Sequence, residues 1–559
     1  MKTVQKNILL VSALLCIYAS CKKGSDVPPP PAPTPIGLSS IKLNNTTADL
    51  GAMNYDVSKT AVARLYYNNT VDRSTVASGI LVKENGGTPV TVNYSYENGD
   101  STVVVNAAAP YKSLTKYTIT AGTSVKSTKG TTVLQEKSAN FITSIDSSRK
   151  FTTITDDELL DKVQQQTFKY FWDFGHPVSG LARERSNGDN NVVTTGGSGF
   201  GIMAIPVAIN RNFITRAQGL GRLQTIVSFL KNTAPRFHGA YSHWMNGTTG
   251  AVVPFSANDN GADLVETSYL MMGLLTARQY FNSADPAEVT LRSDINTLWN
   301  EVEWDWFRQN GKKVLYWNWS PNFGFAVNVP IQGWNECLIT YVLAASSPSH
   351  GITKAVYDSG YARNGSMMNG ATYYGYQLPL GPNLGGPLFF AHYSFLGIKP
   401  QGLSDAYANY QTQTTNHTLI NYNYCKANPQ HNFGYSDSIW GLTASDIPNG
   451  YTASSPTNDV GVIAPTAAIS SIPYTPTESL KALKFFYYVL GDKLWSDYGF
   501  RDAFSLKDTW FAGSYLAIDE GPILLMIENY RSGLLWNLFT SCPEVKAGML
   551  SLGFSAPYL

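Results

Sequence analysis

The pattern of hydrophobic and polar positions changes once along the chain, near residue 155. Between about residues 37 and 145, short runs of Thr, Val, Tyr and Ser alternate with period two, as in Thr102-Val103-Val104-Val105. Beyond residue 155, hydrophobic residues recur with a period of about 3.6, after an acidic first turn at Asp156-Asp157-Glu158. The pattern therefore predicts a small all-β domain followed by a larger, mainly α-helical domain.

The helical part has several further candidate helices, joined by long loops rich in Gly, Pro, Asn and Tyr. Some of these helices are apolar nearly all round, as in residues 270–275, which is expected of the inner helices of a two-layer helical barrel. Loops of this length and aromatic content commonly carry function. The predicted helices cover residues 215–231, 263–281, 294–307, 335–345, 477–490 and 518–539.

The β part, residues 37–145, resembles a bacterial immunoglobulin-like sandwich. The run from Leu114 to Thr120, a turn at Lys129-Gly130 and the run Asn140-Phe141-Ile142-Thr143 are similar to the last strands of that fold. Two roles remain open for it. The domain is either a spacer, or it packs over one end of a cleft and limits the length of chain that is bound.

The first 36 residues predict export. Lys2 and Lys6 precede an apolar run at 8–17, and small residues stand before Cys21. Residues 1–20 are therefore interpreted as a lipoprotein-type signal peptide, with Cys21 acylated and the Pro-rich stretch 21–36 acting as a linker. The alternative is an ordinary signal peptide that is cut nearby. The lipoprotein interpretation predicts an exported, membrane-anchored protein, in the periplasm or on the cell surface, that meets the membrane only through its lipid.

Composition narrows the choice of partners and cofactors. The chain has 41 Lys and Arg against 40 Asp and Glu, which leaves no electrostatic footprint for nucleic acid. Charged residues make up 14% and aromatic residues 13%, which predicts an aromatic-lined interior or cleft. The five Cys and seven His show no metal-ligand spacing, so we expect no metal and no cofactor. We expect a monomer.

Three carboxylates surround the start of one predicted helix. Asp263 and Glu266 are three residues apart and share a face, while Asp259 lies in the loop just before them. An Asp at the N-cap with a Glu three residues later is also a capping pattern, so capping and chemistry are equal alternatives for that pair. Asp259 is not required by a cap and favours a catalytic group.

Two more carboxylates stand at predicted helix starts. Glu336 follows Trp334, and an apolar neighbour raises a carboxyl pKa, which suits a general acid. The alternative is a first-turn Glu that is stabilised by the helix dipole. In Asp519-Glu520, only one of the two adjacent acids can point inward if a helix begins there.

Aromatic residues cluster in the segments 316–325 and 440–446, beside polar residues. Flat rings match the face of a pyranose, so carboxylates in an aromatic trough suggest carbohydrate chemistry. The alternative is an aromatic core. His392-Tyr393 would suit a polysaccharide lyase instead. The Gly-rich run 194–201 lacks the order of a phosphate-binding loop and favours a tight loop near the cleft.

Several long motifs follow one another in residues 156–559. They are Thr167-Phe168-Lys169-Tyr170-Phe171-Trp172-Asp173-Phe174, Ser179-Gly180-Leu181-Ala182-Arg183-Glu184-Arg185, Thr194-Thr195-Gly196-Gly197, Asp263-Leu264-Val265-Glu266-Thr267 and Gly381-Pro382-Asn383-Leu384-Gly385-Gly386-Pro387-Leu388-Phe389-Phe390-Ala391-His392. Together they resemble the bacterial glucoamylase-like family. The same set is similar to glycoside hydrolase family 144, whose characterised members act on β-1,2-glucan.

This resemblance implies that residues 155–559 form an (α/α)6 barrel with an acidic cleft, which hydrolyses β-1,2-glucan or its oligosaccharides with inversion. It carries over Asp259, Asp263, Glu266 and Glu336 as important acids. We predict Glu336 as the general acid and Asp519 as a candidate base, with the other three binding sugar or relaying a proton. The sequence leaves open which carboxylate is acid and which is base, and whether action is endo or exo.

The expected partner is a glucan or oligosaccharide substrate. The side chains expected to contact the sugar are Arg183, Phe200, Trp317, Trp319, Trp334, His392 and Trp440. Two alternatives to a hydrolase remain at this point: a carbohydrate-binding surface lipoprotein without turnover, and the polysaccharide lyase.

Overall fold

The computed structural model describes residues 31–559, so the proposed signal peptide, Cys21 and most of the Pro-rich stretch lie outside the described residues. Grouping the described residues by their contacts gives two compact units. The first consists of the residues up to Ala52 together with Thr60–Ala109 and Thr118–Asn140. The second consists of Met53–Lys59, Pro110–Tyr117 and Phe141–Leu559.

The β region contains two five-stranded sheets, with strand orders β2-β1-β4-β8-β7 and β3-β10-β9-β5-β6, and every pairing in the first sheet is antiparallel. Buried and partly buried side chains alternate along β4. A hairpin joins β7 to β8, and Asn98 and Gly99 in its loop take a left-handed conformation. The strands are β1 Leu38–Leu43, β2 Thr46–Thr47, β3 Met53–Val57, β4 Val62–Tyr67, β5 Ile80–Glu84, β6 Thr88–Pro89, β7 Val92–Glu97, β8 Thr102–Ala107, β9 Lys116–Ala121 and β10 Lys137–Thr143.

The remainder of the chain is mainly helical. Among the described residues, eleven helices have seven or more residues: α1 Asp156–Trp172, α2 Thr195–Asn210, α3 Arg216–Asn232, α4 Leu264–Tyr280, α5 Pro286–Asn300, α6 Leu338–Ser346, α7 Tyr410–Ala427, α8 Pro476–Tyr488, α9 Ala517–Arg531, α10 Leu534–Thr540 and α11 Pro543–Leu552. The period change at residue 155 is confirmed, because Thr155 caps α1 in a capping box with Glu158.

Three sequence-based expectations differ from the structure. The Gly-rich run 194–201 is not a tight loop, because α2 begins at Thr195 and continues through it. The predicted helix 518–539 is two helices, since Gly533 takes a left-handed conformation with φ of 68° and separates α9 from α10. The predicted start at residue 294 is also late, because Asp285 already caps α5.

Helices α2, α4 and α9 are buried on nearly all sides and form the centre of the helical domain. α1 packs on α9 and has an exposed polar face, so it lies further out. Short strand pairs immediately precede the central helices. Val192–Thr194 leads into α2, and Ala262–Asp263, paired with Asn318–Trp319, leads into α4. These pairs fix where the N-terminal ends of the central helices lie.

α2 and α4 touch backbone to backbone. A Cβ placed on Gly273 would lie 2.3 Å from the carbonyl oxygen of Gly199, and a Cβ on Gly199 would lie 2.3 Å from that of Tyr269. No side chain can be accommodated between the helices at this point. The pair of glycines therefore sets the spacing of the two central helices.

We expect Gly273→Ala to lower the free energy of unfolding by about 1–3 kcal/mol, because the added methyl group forces α2 and α4 apart. Thermal denaturation followed by circular dichroism measures the effect. The matched control is Gly221→Ala in exposed α3, where a Cβ meets nothing within 4 Å and the higher helix propensity of Ala should raise or preserve stability. Equal melting temperatures for the two variants would contradict the close contact.

Candidate active site

A cavity of about 440 Å³ lies at the N-terminal ends of the central helices. Its lining combines carboxylates, aromatic rings and one histidine: Glu184, Arg185, Thr194, His243, Trp244, Phe255, Glu266, Trp317, Glu336, Phe389, Tyr393, Ala444, Tyr451, Ala453, Leu516 and Ile518. Thr194 and Leu516 are the N-caps of α2 and α9, and Glu336 lies two residues before α6. The backbone ends of several buried helices therefore converge on one chamber.

Asp263 is the N-cap of α4 and uses both of its carboxylate oxygens inside the protein. Oδ1 accepts hydrogen bonds from the backbone N–H of Val265 and Glu266 at 3.0 and 2.9 Å. Oδ2 lies 2.8 Å from Nδ1 of His243. The capping interpretation is therefore correct for Asp263, and the side chain is 1% exposed. Its contact with His243 is a feature that a cap does not need.

Glu266 does not complete the capping box but instead links α4 to α2. Its Oε2 accepts the backbone N–H of Gly196 at 2.7 Å and lies 3.5 Å from Oγ1 of Thr194. A Cβ on Gly196 would lie 2.5 Å from this oxygen, so glycine is required there. Burial and the neighbouring Asp263 raise the pKa of Glu266, while His243 opposes the rise.

Asp259 stands just before α4, as the sequence predicts. Its Oδ1 accepts a hydrogen bond from Nδ2 of Asn318 at 3.2 Å. Burial, followed by repulsion from Asp263, raises the pKa of Asp259 to about 6. Asp259, Asp263 and Glu266 therefore do converge, with His243 among them.

Glu336 lines the cavity, and burial raises the pKa of its carboxyl group to about 7, with smaller contributions from Glu266 and Asp263. Ser394 holds the local backbone by donating its hydroxyl to the carbonyl oxygen of Glu336. Trp334 is nearby in sequence but packs on Phe395 and Tyr410. Glu336 is thus a carboxyl group that carries a proton up to about neutral pH and faces the cavity.

Asp519 lies in the first turn of α9 and is 2% exposed. Burial, followed by the neighbouring carboxyl group of Asp502, raises the pKa of Asp519 well above the usual range. Asp502 in turn accepts the backbone N–H of Asp446 at 2.6 Å, and Arg185 lies 2.6 Å from the carboxylate of Asp446. Two adjacent buried carboxyl groups of this kind share a proton, because both cannot be ionised at low cost.

The structure brings only one of the seven expected sugar-binding side chains to the cavity, namely Trp317. The other six side chains lie outside the cavity lining, and we assign them to packing within the fold. Phe200 and Trp440 are fully buried in hydrophobic cores, and Trp334 is 5% exposed. His392 is buried with Nε2 2.9 Å from Oγ of Ser471.

The remaining two expected sugar-binding residues also lie away from the cavity lining. Arg183 donates to the carbonyl oxygens of Asn190 and Phe174 and lies over the Phe174 ring. Trp319 packs edge-on against His238. Aromatic residues in a sequence of this composition are thus mostly core, which is the alternative that the sequence left open.

Sequence reasoning missed several cavity residues. His243, Trp244 and Phe255 come from the strand and loop between α3 and α4, and Tyr451 comes from the hairpin formed by Ala444–Ile447 and Gly450–Ala453. Phe255 and Tyr451 are 49% and 51% exposed, unlike the core aromatics. None of these residues is part of a repeated or spaced motif, so no local signal distinguishes them from other aromatics.

Within residues 31–559, no group of His, Cys, Asp and Glu side chains is arranged to hold a metal ion. The same residues include no helix of the length and hydrophobicity needed to span a membrane.

Comparisons with known proteins place the chain in a family. The Glycoamylase family model matches residues 328–543, and a model of a bacterial Ig-like domain matches residues 39–153. A solved endo-β-1,2-glucanase from Chitinophaga pinensis, in complex with sophorotriose and glucose, is 52% identical. It matches over 73% of this chain and 100% of that one with a TM-score of 0.71. The chain therefore belongs to the bacterial glucoamylase-like family of the glycoside hydrolase family 144 type, with an N-terminal Ig-like domain.

Two relatives from Parabacteroides distasonis are also similar. The solved structure of a β-1,2-glucanase is 38% identical, with 94% of this chain and 74% of that one covered and a TM-score of 0.70. A curated exo β-1,2-glucooligosaccharide sophorohydrolase acting at the non-reducing end is 47% identical over 417 residues, which are 71% of this chain. The matched part of the chain spans 58% of the length of that relative.

The Asp502–Asp519 pair predicts a pH-dependent stability. Both carboxyl groups have raised pKa values in the folded chain, which therefore keeps a proton that the unfolded chain loses above about pH 4. The pair therefore lowers the free energy of unfolding progressively as the pH rises from about 4 through the raised pKa values. We expect Asp502→Asn to remove part of this cost, because the amide does not titrate and can donate to Asp519. The melting temperature of the variant relative to the unsubstituted protein should rise by roughly 2 °C or more between pH 5 and pH 8.

The control for this measurement is Asp497→Asn, at an exposed position in the same segment, which should leave the difference between the two pH values unchanged. A relative melting temperature for Asp502→Asn that is flat or falls with pH would show that the two carboxyl groups do not share a proton.

Proposed function

We propose that the protein is a glycoside hydrolase that cleaves β-1,2-glucan or β-1,2-glucooligosaccharides. The observation that carries the proposal is Glu336, a carboxyl group with a pKa of about 7 that faces an aromatic cavity beside the buried carboxylate of Glu266. A group that is protonated near neutral pH can donate to the glycosidic oxygen as it leaves. The printed activities of the similar proteins supply the linkage.

For the fold, we propose an (α/α)6 barrel. The proposal is supported by the fully buried central helices α2, α4 and α9 and by amphipathic α1, α5 and α8 around them. The cavity at the N-terminal ends of buried helices is consistent with a cleft at one end of such a barrel.

We propose an inverting reaction with Glu336 as the acid. Glu336 gives its proton to the leaving oxygen, the glycosidic bond breaks, and a water adds to the anomeric carbon from the opposite side while losing a proton. The Asp519–Asp502 pair is the proposed acceptor of that proton. It lies beside Tyr393 and Tyr451, two cavity residues, and Asp519 can pass its own proton to Asp502 as it takes one from water.

The aromatic residues of the cavity suit a neutral sugar chain. Trp317, Phe255 and Tyr451 offer rings to the apolar faces of glucose units, and the carboxylates accept hydrogen bonds from hydroxyl groups. The lyase alternative loses its histidine, because His392 is buried and bonded to Ser471, and only Tyr393 of the pair lines the cavity. Binding without turnover is not favoured either, because the cavity retains a protonated acid.

We expect Glu336→Gln to lower kcat on β-1,2-glucan by about 10²–10⁴-fold with little change in melting temperature, because the amide cannot donate the catalytic proton. In the unsubstituted enzyme, kcat/KM should fall above about pH 7 as Glu336 ionises. Reducing-sugar release measures turnover, and chromatography of early products separates exo from endo action. Glu478→Gln, at a first-turn glutamate of α8, is the matched control; equal activity of the two variants would sink the assignment of the acid.

We also propose, from the N-terminal sequence, that the protein is exported, acylated at Cys21 and held at a membrane as a monomer. In a bacterial host, Cys21→Ala should abolish incorporation of labelled fatty acid and move the protein out of the membrane fraction. Retention of the variant in the membrane fraction would contradict lipid anchoring at this residue.

A further inference from the structure

The imidazole of His243 is fixed on three sides in the cavity wall. Nδ1 lies 2.8 Å from Oδ2 of Asp263. One ring face stacks on Phe255 with centroids 4.0 Å apart, and Trp244 meets the ring edge-on at 5.4 Å. Asp263 is itself fixed as the N-cap of α4. Both the position and the orientation of the histidine ring are therefore determined before any ligand binds.

The other ring nitrogen of His243 has no partner among the residues that the structure describes. No hydrogen bond to Nε2 of His243 is formed by any of residues 31–559, and the side chain lines the cavity and is 20% exposed. Because the contact with Asp263 directs Nδ1 inward, Nε2 is the atom that remains for a ligand.

The surrounding charges keep this ring protonated. Burial alone would lower the pKa of His243, but Glu266, Asp263 and Asp259 outweigh it and raise the pKa to about 9. The Glu184 carboxyl group also interacts electrostatically with the His243 ring. With both nitrogens protonated, Nε2 is a hydrogen-bond donor with a positive charge.

We propose that His243 contacts the substrate and donates its Nε2–H to a hydroxyl oxygen of the glucose unit that lies against Phe255, with Asp263 acting as its positioning residue. The proposal deepens the proposed function and rests on it. It also changes the role expected for Asp263, whose two oxygens are both engaged and which therefore acts through His243 rather than on the sugar.

A neutral sugar fits this site better than an anion. The carboxylates of Glu184 and Glu266 line the same chamber and would repel a negatively charged ligand. A hydroxyl group can accept from the imidazolium and donate to a carboxylate at the same time, which satisfies both kinds of wall group. Phe255 meanwhile offers its half-exposed ring to the apolar face of the sugar.

Two amide substitutions separate contact with the sugar from support of Asp263. The Nδ2 amide of Asn reaches the place of Nδ1, while the Nε2 amide of Gln reaches the place of Nε2. His243→Asn should keep the bond to Asp263 but lose the cavity donor, and we expect it to weaken binding of sophorotriose by about 10- to 100-fold, as for a lost charge-assisted hydrogen bond. His243→Gln should recover part of that loss.

The binding measurement is calorimetry with sophorotriose in the Glu336→Gln background, so that the ligand is not consumed. His238→Gln is the matched control, because His238 also pairs Nδ1 with a carboxylate, Glu303, and stacks on an aromatic ring, Trp306, but does not line the cavity. It should bind sophorotriose as the Glu336→Gln parent does.

The outcomes are distinct. If His243→Asn binds sophorotriose normally and His243→Gln does not, His243 only supports Asp263. If both variants bind sophorotriose normally, His243 has no role in binding. Either result overturns the proposal. If the unsubstituted enzyme hydrolyses β-1,2-glucan, those results refute the role of His243 alone. Absence of hydrolysis, with no sophorotriose binding to the parent, would refute the proposed function together with this inference.

Discussion

The hydrogen bond between the Glu266 carboxylate and the Gly196 backbone N–H is the interaction on which the site depends. It joins the first turn of α4 to the first turn of α2 and places a carboxylate at the positive end of a buried helix, where the dipole stabilises negative charge. The absence of a side chain at Gly196 is a condition for it, because a Cβ would occupy the position of the carboxylate oxygen. The start of α4 also carries Asp263, whose Oδ1 caps the helix while its Oδ2 holds His243.

The cavity also depends on the contrast between two groups of buried acids. Around α4, the charge of Asp263 and Glu266 is balanced by a histidine and by backbone N–H groups, so the carboxylates there have partners. Around α9, Asp519 has no cationic partner among residues 31–559 and lies near the carboxyl group of Asp502 instead, so its own carboxyl group retains a proton. Glu336 lies between these extremes, because its pKa is raised mainly by burial. Carboxyl groups with different affinities for protons thus lie in and behind the wall of one cavity, which is the condition for acid and base steps to coexist.

The sequence predicted some of this arrangement well and some of it not at all. The switch to helix at Thr155 was predictable because a capping box and an acidic first turn are local signals. The proximity of Asp263 and Glu266 followed from their spacing at one helix start, and that of Asp259 from its place in the loop just before that helix. The Gly-rich start of α2 was not predictable, because glycine there serves a contact with α4, and only tertiary structure outweighs its low helix propensity.

The aromatic residues show the same limit. Trp440 and Phe255 are equally aromatic in sequence, yet one is fully buried and the other is half exposed at the cavity. Nothing in the residues around them encodes that difference, since it depends on which loops meet at the ends of the central helices. His243 is likewise a lone histidine in sequence, and only its contact with Asp263 marks it.

The backbone contact at Gly199 and Gly273 has a consequence for how such an enzyme can change. With no side chain between α2 and α4, the frame that carries Gly196 and Glu266 has no adjustable element, and any residue larger than glycine would displace both at once. Variation in the sugar chains that are accepted must then arise in the segments that bear Phe255 and Tyr451, which can be exchanged without moving the helices. The pair of helices α2 and α4 and the segments that bear Phe255 and Tyr451 are therefore separate targets for redesign. Only those segments can be altered one residue at a time.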